Sequence, residues 1–145
     1  MRALIQRVSR ASVRVDEEVI GKIGRGFLIL LGVGKSDSEE TAETLARKSA
    51  ALRIFPDDNH KMNISLKDAA GEALVISQFT LYADTHKGHR PAFTDAAPPE
   101  LAERLYEKYV GALRQEGIRT ETGRFAAFMN VELLNEGPVT ILLEL

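Results

Sequence analysis

The chain has no cysteine and no tryptophan. Without thiols there is no disulfide, no thiolate nucleophile and no cysteine-ligated zinc site. Histidine is scarce. His60, His86 and His89 all fall in polar stretches, and none has the spacing of a helical metal-binding pair, so no metal is expected. No Gly-x-Ser-x-Gly elbow occurs, which excludes an esterase of the common hydrolase fold. No apolar run approaches the ~18 residues of a membrane-spanning helix. The opening Met1-Arg2-Ala3-Leu4-Ile5-Gln6-Arg7 turns polar too soon for a secretory signal, so a soluble cytoplasmic protein with no membrane partner is the expectation. Neither sign of charge dominates: 19 Lys and Arg against 21 Asp and Glu leave a net charge of -2. That balance argues against coating nucleic acid through bulk charge, and leaves room for a local site that grips one end of an RNA.

What is present suits one domain over residues 1–145, with 44% hydrophobic residues and no internal repeat or linker. Arg2 to Val15 reads as one long strand, or two joined by a bulge. Ala11, Val13 and Val15 alternate with Ser12 and Arg14, and the pattern slips near Leu4-Ile5. Asp16-Glu17-Glu18 is a turn and Val19 to Ile23 a short return strand. Phe27 to Val33 is apolar throughout, as expected of a central strand covered on both faces. Ser36-Asp37-Ser38-Glu39 has the form of a capping box, and predicts a helix running to about Ile54 with Ala42, Leu45, Ser49 and Leu52 on one stripe. A hairpin-like region follows around Lys61-Met62. Ala73 to Ser77 is a second buried strand, continuing into Gln78-Phe79-Thr80-Leu81. Pro98-Pro99-Glu100 starts a second helix whose stripe is Leu101, Leu105, Tyr109, Ala112 and Leu113, and Gly117 ends it. Arg119 to Thr122 is a short strand. Val131 to Leu134 and Ile141 to Leu145 flank Asn135-Glu136-Gly137-Pro138-Val139-Thr140 and read as a closing hairpin. The expected fold is α/β: mixed, mostly antiparallel sheets forming a barrel-like core, with two main helices packed on it.

Few stretches carry chemistry. Gly32-Val33-Gly34-Lys35 looks faintly like a phosphate loop but lacks the spacer, and reads as the exit from a central strand. Ser77-Gln78-Phe79-Thr80-Leu81 follows a buried strand, where polar side chains need partners or a cavity. Ser77, Gln78 and Thr80 suit hydrogen bonds to a ribose or an aminoacyl group, and Phe79 suits stacking on a base. The same residues also suit a plain strand end. The loop from Asp84 to Pro91 offers Lys87, His89 and Arg90 to phosphates, or simply to solvent. Gly137 and Pro138 combine backbone freedom with a fixed φ and a missing N–H, which serves a tight turn as well as a site.

Taken as an ordered set, these motifs resemble the D-aminoacyl-tRNA deacylase (D-tyrosyl-tRNA deacylase) family. Ser77-Gln78-Phe79-Thr80-Leu81 and Asn135-Glu136-Gly137-Pro138-Val139-Thr140 match its two signatures. Gln6-Arg7-Val8 with Ala11-Ser12-Val13, the Lys87 to Pro91 loop, and Thr122 to Ala127 with Met129 fit as well, so the resemblance spans the chain. Ala92, after Arg90-Pro91, departs from the more usual Ser. The resemblance implies hydrolysis of the ester joining a D-amino acid, or glycine mischarged on tRNA-Ala, to the terminal ribose of tRNA. It implies a homodimer without cofactor, with Gly137-Pro138 joined by a cis bond and placed in the partner's pocket. Two parallel carbonyl oxygens there accept the substrate ammonium and leave no room for an L side chain, so selectivity is rejection of the wrong hand.

By the same resemblance Arg7 braces the Gly-Pro loop, where a surface strand arginine is the plain alternative; Phe125 and Met129 wall the pocket, which core packing explains as well; and Ser77, Gln78 and Phe79 receive the terminal adenosine and the ester. Backbone N–H groups near Phe79 and Thr80 are the expected oxyanion hole. Thr80 as a nucleophile needs a base, and no motif supplies one. The preferred reading has the RNA's own 2′-OH help activate water. Two alternatives stay open: a non-catalytic homodimeric binding module, and a deacylase of relaxed chirality.

Overall fold

A computed structural model describes residues 1–145. The organising element is β1 (Arg2–Val15), which pairs antiparallel with three other strands. Along one edge its first half meets β3 (Gly26–Gly32), and its second half meets β2 (Glu18–Ile23). On β1's other edge runs the last strand of the chain. After β3 come α1 (Glu39–Ala51), the small hairpin β4 (Arg53–Pro56) and β5 (Met62–Ser65), and β6 (Glu72–Ser77). A 3-10 turn over Phe79–Tyr82, α2 (Pro99–Gln115), β7 (Thr120–Thr122) and β8 (Asn130–Glu144) complete the order. β3, β6 and β7 are mutually parallel, so the main sheet is mixed, ordered β2-β1-β3-β6-β7 with β8 added on β1. It curls into a nearly closed barrel, with β2 lying against β6 and β7.

The two faces of the curled sheet bury different sets. Ala3, Ile5, Phe27, Ile29, Leu31, Ala73 and Val75 face the helices, and meet Leu45, Ala46, Leu105, Tyr109 and Leu113. Val8, Ala11, Val13, Ile23, Leu28, Leu74 and Ile76 fill the inside of the curl. β3 therefore contributes to both cores, as its unbroken apolar run predicts. β1 changes face part-way. The slip falls at Ser9, between Val8 and Arg10, where the register with β8 shifts, and not at Leu4-Ile5.

Further expectations are corrected. The cap of α1 is Ser38, whose Oγ accepts from the Thr41 N–H, so Ser36 and Glu39 do not form the box. The helix stops at Ala51 rather than Ile54, because Arg53–Pro56 is drawn into pairing with Met62–Ser65. The strand β6 ends at Ser77, and Phe79–Tyr82 turns in a 3-10 helix instead of extending it. Finally, there is no closing hairpin. Both flanks of Gly137-Pro138 belong to one strand, β8, and both pair with β1. Leu52 and Leu101 are half-buried at the edge of their stripes rather than in them.

Candidate active site

The parallel strands β3, β6 and β7 end together, and a cavity opens beyond their carboxyl ends, where open α/β sheets commonly hold ligands. Its volume is about 720 Å³, and 13 of its 17 lining residues are hydrophobic. β6 delivers Ser77, and the chain leaving it delivers Gln78 and Phe79. Phe125 and Met129 come from the segment after β7. Met129 packs against Gly123, and Phe125 lies 6.2 Å, centroid to centroid, from the ring of Tyr106 on α2. Five of the expected residues are thus gathered in one cavity. Phe79 is 55% exposed, with its ring edge-on to Phe93 at 4.9 Å. An exposed aromatic face over an apolar floor suits a nucleobase.

Thr80 follows Phe79 outside the cavity lining; it is exposed, and its hydroxyl is hydrogen-bonded to the Gln78 amide. No imidazole or carboxylate hydrogen-bonds it. The N–H groups of Phe79 and Thr80 open the 3-10 turn, and the first N–H groups of a helix have no intrahelical acceptor. They are free to serve an oxyanion. The one imidazole–carboxylate pair, His86 Nδ1 to Asp84 Oδ1 at 2.6 Å, lies in the outer loop and does not line the cavity. The His86 backbone N–H and side chain hold the Asp84 carboxyl below its usual range.

Lys87, His89 and Arg90 are exposed in that loop. Its ends are closed by paired backbone hydrogen bonds between Asp84 and Ala92, at 2.7 and 2.9 Å. Ala92 thus contributes through its backbone. Phe93 follows at once, so the loop is tethered beside the cavity mouth.

Arg7, Gly137 and Pro138 are not in this cavity. They meet at a break in the β1–β8 ladder. Gln6 pairs with Thr140 and Val8 with Asn135, so Glu136 to Val139 bulge out opposite Arg7 alone. The Gly137–Pro138 bond is cis, and both residues are exposed. Asn135 clips the bulge shut: its Oδ1 accepts from the Val139 N–H at 2.8 Å, and its Nδ2 donates to the Val139 carbonyl at 3.1 Å. The Val139 side chain anchors in the helix-facing core. Arg7 is 9% exposed; its Nε donates to the Glu136 carbonyl at 2.9 Å, and its Nη1 donates to the carbonyl of Ile54. The Glu136 carboxylate lies 3.8 Å from Arg7 Nε and 3.6 Å from Arg25 Nε.

Sequence reasoning missed Asn135 as the clip, and Phe93 and Phe128 as cavity residues. Phe128 is 86% exposed, and its place three residues after Phe125, across Ala126-Ala127, is the signal that marks it.

An apolar cavity beside the polar side chains of Ser77, Gln78 and Thr80, with turn amides at its edge, has the make-up of a site for a ligand that is part apolar and part polar, such as an ester. Residues 4–144 match the family described as D-Tyr-tRNA(Tyr) deacylase, and the chain belongs to it. It is 60% identical over 144 residues to the D-aminoacyl-tRNA deacylase of Roseiflexus sp. (strain RS-1), covering 99% of this chain and 93% of that one. It is 56% identical to the D-aminoacyl-tRNA deacylase of Thermotoga petrophila, with 99% and 97% covered. Among solved structures, the c-Myc DNA Unwinding Element Binding Protein superposes with a TM-score of 0.93 at 42% identity, over 99% of this chain and 98% of that one. A probable eukaryotic D-amino acid tRNA deacylase superposes at 0.82 with 16% identity over 98% and 97%, a likeness of fold.

Proposed function

We propose that the protein hydrolyses the ester of D-aminoacyl-tRNA to release tRNA and the D-amino acid, and clears glycine mischarged on tRNA-Ala at the same site. In this reading it works in the cytoplasm as a homodimer, and Gly137-Pro138 of one copy enters the cavity of the other. The observation that carries it is a separation. The cavity with Ser77, Gln78, Phe79, Phe125 and Met129 does not include the chain's own Gly137 and Pro138, which stand exposed on a braced bulge. A rigid, solvent-facing element built by Arg7, Asn135 and Val139 needs something to act on. Leu133, Leu134 and Leu142 are exposed on the same strand, whose outer edge pairs with nothing in this chain, and a second copy accounts for both.

The terminal adenosine then stacks on Phe79 with its ribose toward Ser77 and Gln78. The developing oxyanion takes the Phe79 and Thr80 N–H groups. The ribose 2′-OH helps activate water, and the partner's Gly-Pro carbonyls take the ammonium. An L side chain meets that backbone, a D side chain points away, and glycine has none. Lys87, His89 and Arg90 face the acceptor-end phosphates from the tethered loop, with a salt dependence of only a few charges.

The test is deacylation of matched D-, L- and glycyl-tRNA by the purified protein. Rapid loss of the D and glycyl esters with L spared is expected. Hydrolysis of both hands alike would leave a deacylase of relaxed chirality, and no hydrolysis of any ester would leave a binding module.

A further inference from the structure

The Gly32-Val33-Gly34 exit of β3 is a seat. The turn Phe79–Tyr82 lies across it. A Cβ on Gly32 would stand 3.1 Å from Leu81 Cβ, 3.2 Å from the Gln78 carbonyl and 3.2 Å from the Tyr82 ring. A Cβ on Gly34 would stand 2.8 Å from the Tyr82 hydroxyl and 3.0 Å from two of its ring carbons. Neither glycine has a positive φ, so what the fold uses at both places is the missing side chain. Arg2 holds the same turn from β1. Its guanidinium carbon is 4.6 Å from the Tyr82 ring centroid, and its Nη1 donates to the Leu81 carbonyl at 2.7 Å. Its Nε pairs with Glu144 of β8 at 2.6 Å. Beside the Tyr82 hydroxyl, Asp37 accepts from the Gly34 N–H at 2.6 Å, so the seat is itself fixed. Burial first, then the Asp37 charge, pushes Tyr82 up to about 12, which keeps the phenol neutral.

Such a hold is needed because the reactive half of the turn has little of its own. Phe79 and Thr80 are exposed, and a single 3-10 turn is weakly bonded. The half that faces the cavity can be no better placed than the half that is anchored.

We propose that Tyr82, seated on Gly32 and Gly34 and held by Arg2, is a positioning residue that sets where the Phe79 and Thr80 amides and the Thr80 hydroxyl stand against the ester. The inference rests on the deacylase reading above. It concerns the chemical step more than binding, because Tyr82 does not line the cavity.

The test is a double-mutant cycle in the full-length protein, read as kcat and KM on a D-aminoacyl-tRNA. Gly34→Ala drives the ring off its seat, and displacement of catalytic groups by ~1 Å is worth about 100-fold in rate. A fall in kcat of about 10- to 100-fold with KM within about threefold is expected. In a Tyr82→Leu background, Gly34→Ala then adds less than about threefold, since the atoms it strikes are gone. Arg2→Met lowers kcat in the same manner and Arg2→Lys restores part of it. This pair reads the same device should Gly34→Ala fail to fold. Equal losses from Gly34→Ala with and without the Tyr82 ring, or losses confined to KM, would overturn the proposal. An inactive wild type on every ester would instead remove the functional reading beneath it.

Discussion

Gly137 has a φ of +147°, and a Cβ there would stand 2.7 Å from the Val139 side chain and 2.8 Å from its backbone nitrogen. The first favours glycine by conformation and the second by space. Gly137→Ala therefore disturbs the bulge without touching the cavity. We expect kcat/KM on a D-aminoacyl-tRNA to fall by at least ~10-fold, or ~1.4 kcal/mol, and the D-to-L ratio to narrow. An unchanged ratio, measured on matched esters, would take the bulge out of chiral selection. Thr80 tests the other half of the chemistry. Its hydroxyl is bonded to the Gln78 amide and to no base. Thr80→Ala should keep kcat within about tenfold of wild type if the 2′-OH assists water. A loss beyond ~1000-fold with substrate binding intact would make Thr80 the nucleophile. Five of the cavity's 17 lining residues were legible in the sequence, and through the ordered motifs more than through local pattern, since Ser77, Gln78 and Phe79 alone suit a plain strand end and Phe125 and Met129 suit core packing. Asn135 and Phe93 were not legible. Their work lies in a backbone clip and a ring contact that only the folded chain brings about.

At the scale of elements, local patterns gave type and missed pairing. Val131 to Leu134 and Ile141 to Leu145 do read as strand, and they are. Alternation within a segment says nothing of which neighbour it pairs with, and β1 was long enough to take both. The Gly-Pro stretch therefore became a turn in the reading, and a bulge in the fold. Likewise Leu52 continues the helical stripe of Ala42, Leu45 and Ser49, but the pairing of Arg53–Pro56 with Met62–Ser65 outweighs it and the helix stops at Ala51. The contact of the two helices carries a prediction of its own. Lys108 of α2 reaches Glu43 at 2.9 Å and Glu39 at 3.4 Å on α1. The hydrogen bond from Lys108, then its charge, lowers the Glu43 pKa from its ordinary 4.5. A carboxyl whose pKa is depressed on folding adds stability above its unfolded value, and that contribution is lost as pH falls through the folded one. Lys108→Met should thus melt lower than wild type at about pH 6, and the gap should close by about pH 3. The gap is small, because the pair is exposed and salt screens it. A gap that is constant with pH in thermal melts would assign the effect to packing of the Lys108 stem.

For the whole molecule, the question is whether one chain holds a complete site. Its cavity and its Gly-Pro bulge are separate features, and β8 carries the bulge on an unpaired edge with exposed leucines. A two-fold dimer is self-complementary, so a bulge that enters the partner's cavity must receive the partner's bulge in return. That symmetry can be broken by mixing. One chain carries Gly137→Ala, with its cavity intact. The other carries Phe79→Ala with Gln78→Ala, and its bulge is intact. Each homodimer should be nearly inactive on a D-aminoacyl-tRNA. If the bulge acts across the interface, a mixed dimer has one site with both parts sound and one with neither. Random assembly makes half the dimers mixed, so about one quarter of wild-type activity should return on refolding the chains together. If each chain served its own cavity, every site in the mixed dimer would still lack one part. Activity would then stay at the homodimer level. Recovery in the mixture, measured against the two parents at equal total protein, therefore separates a shared site from a self-contained one without any assumption about which residue moves the proton.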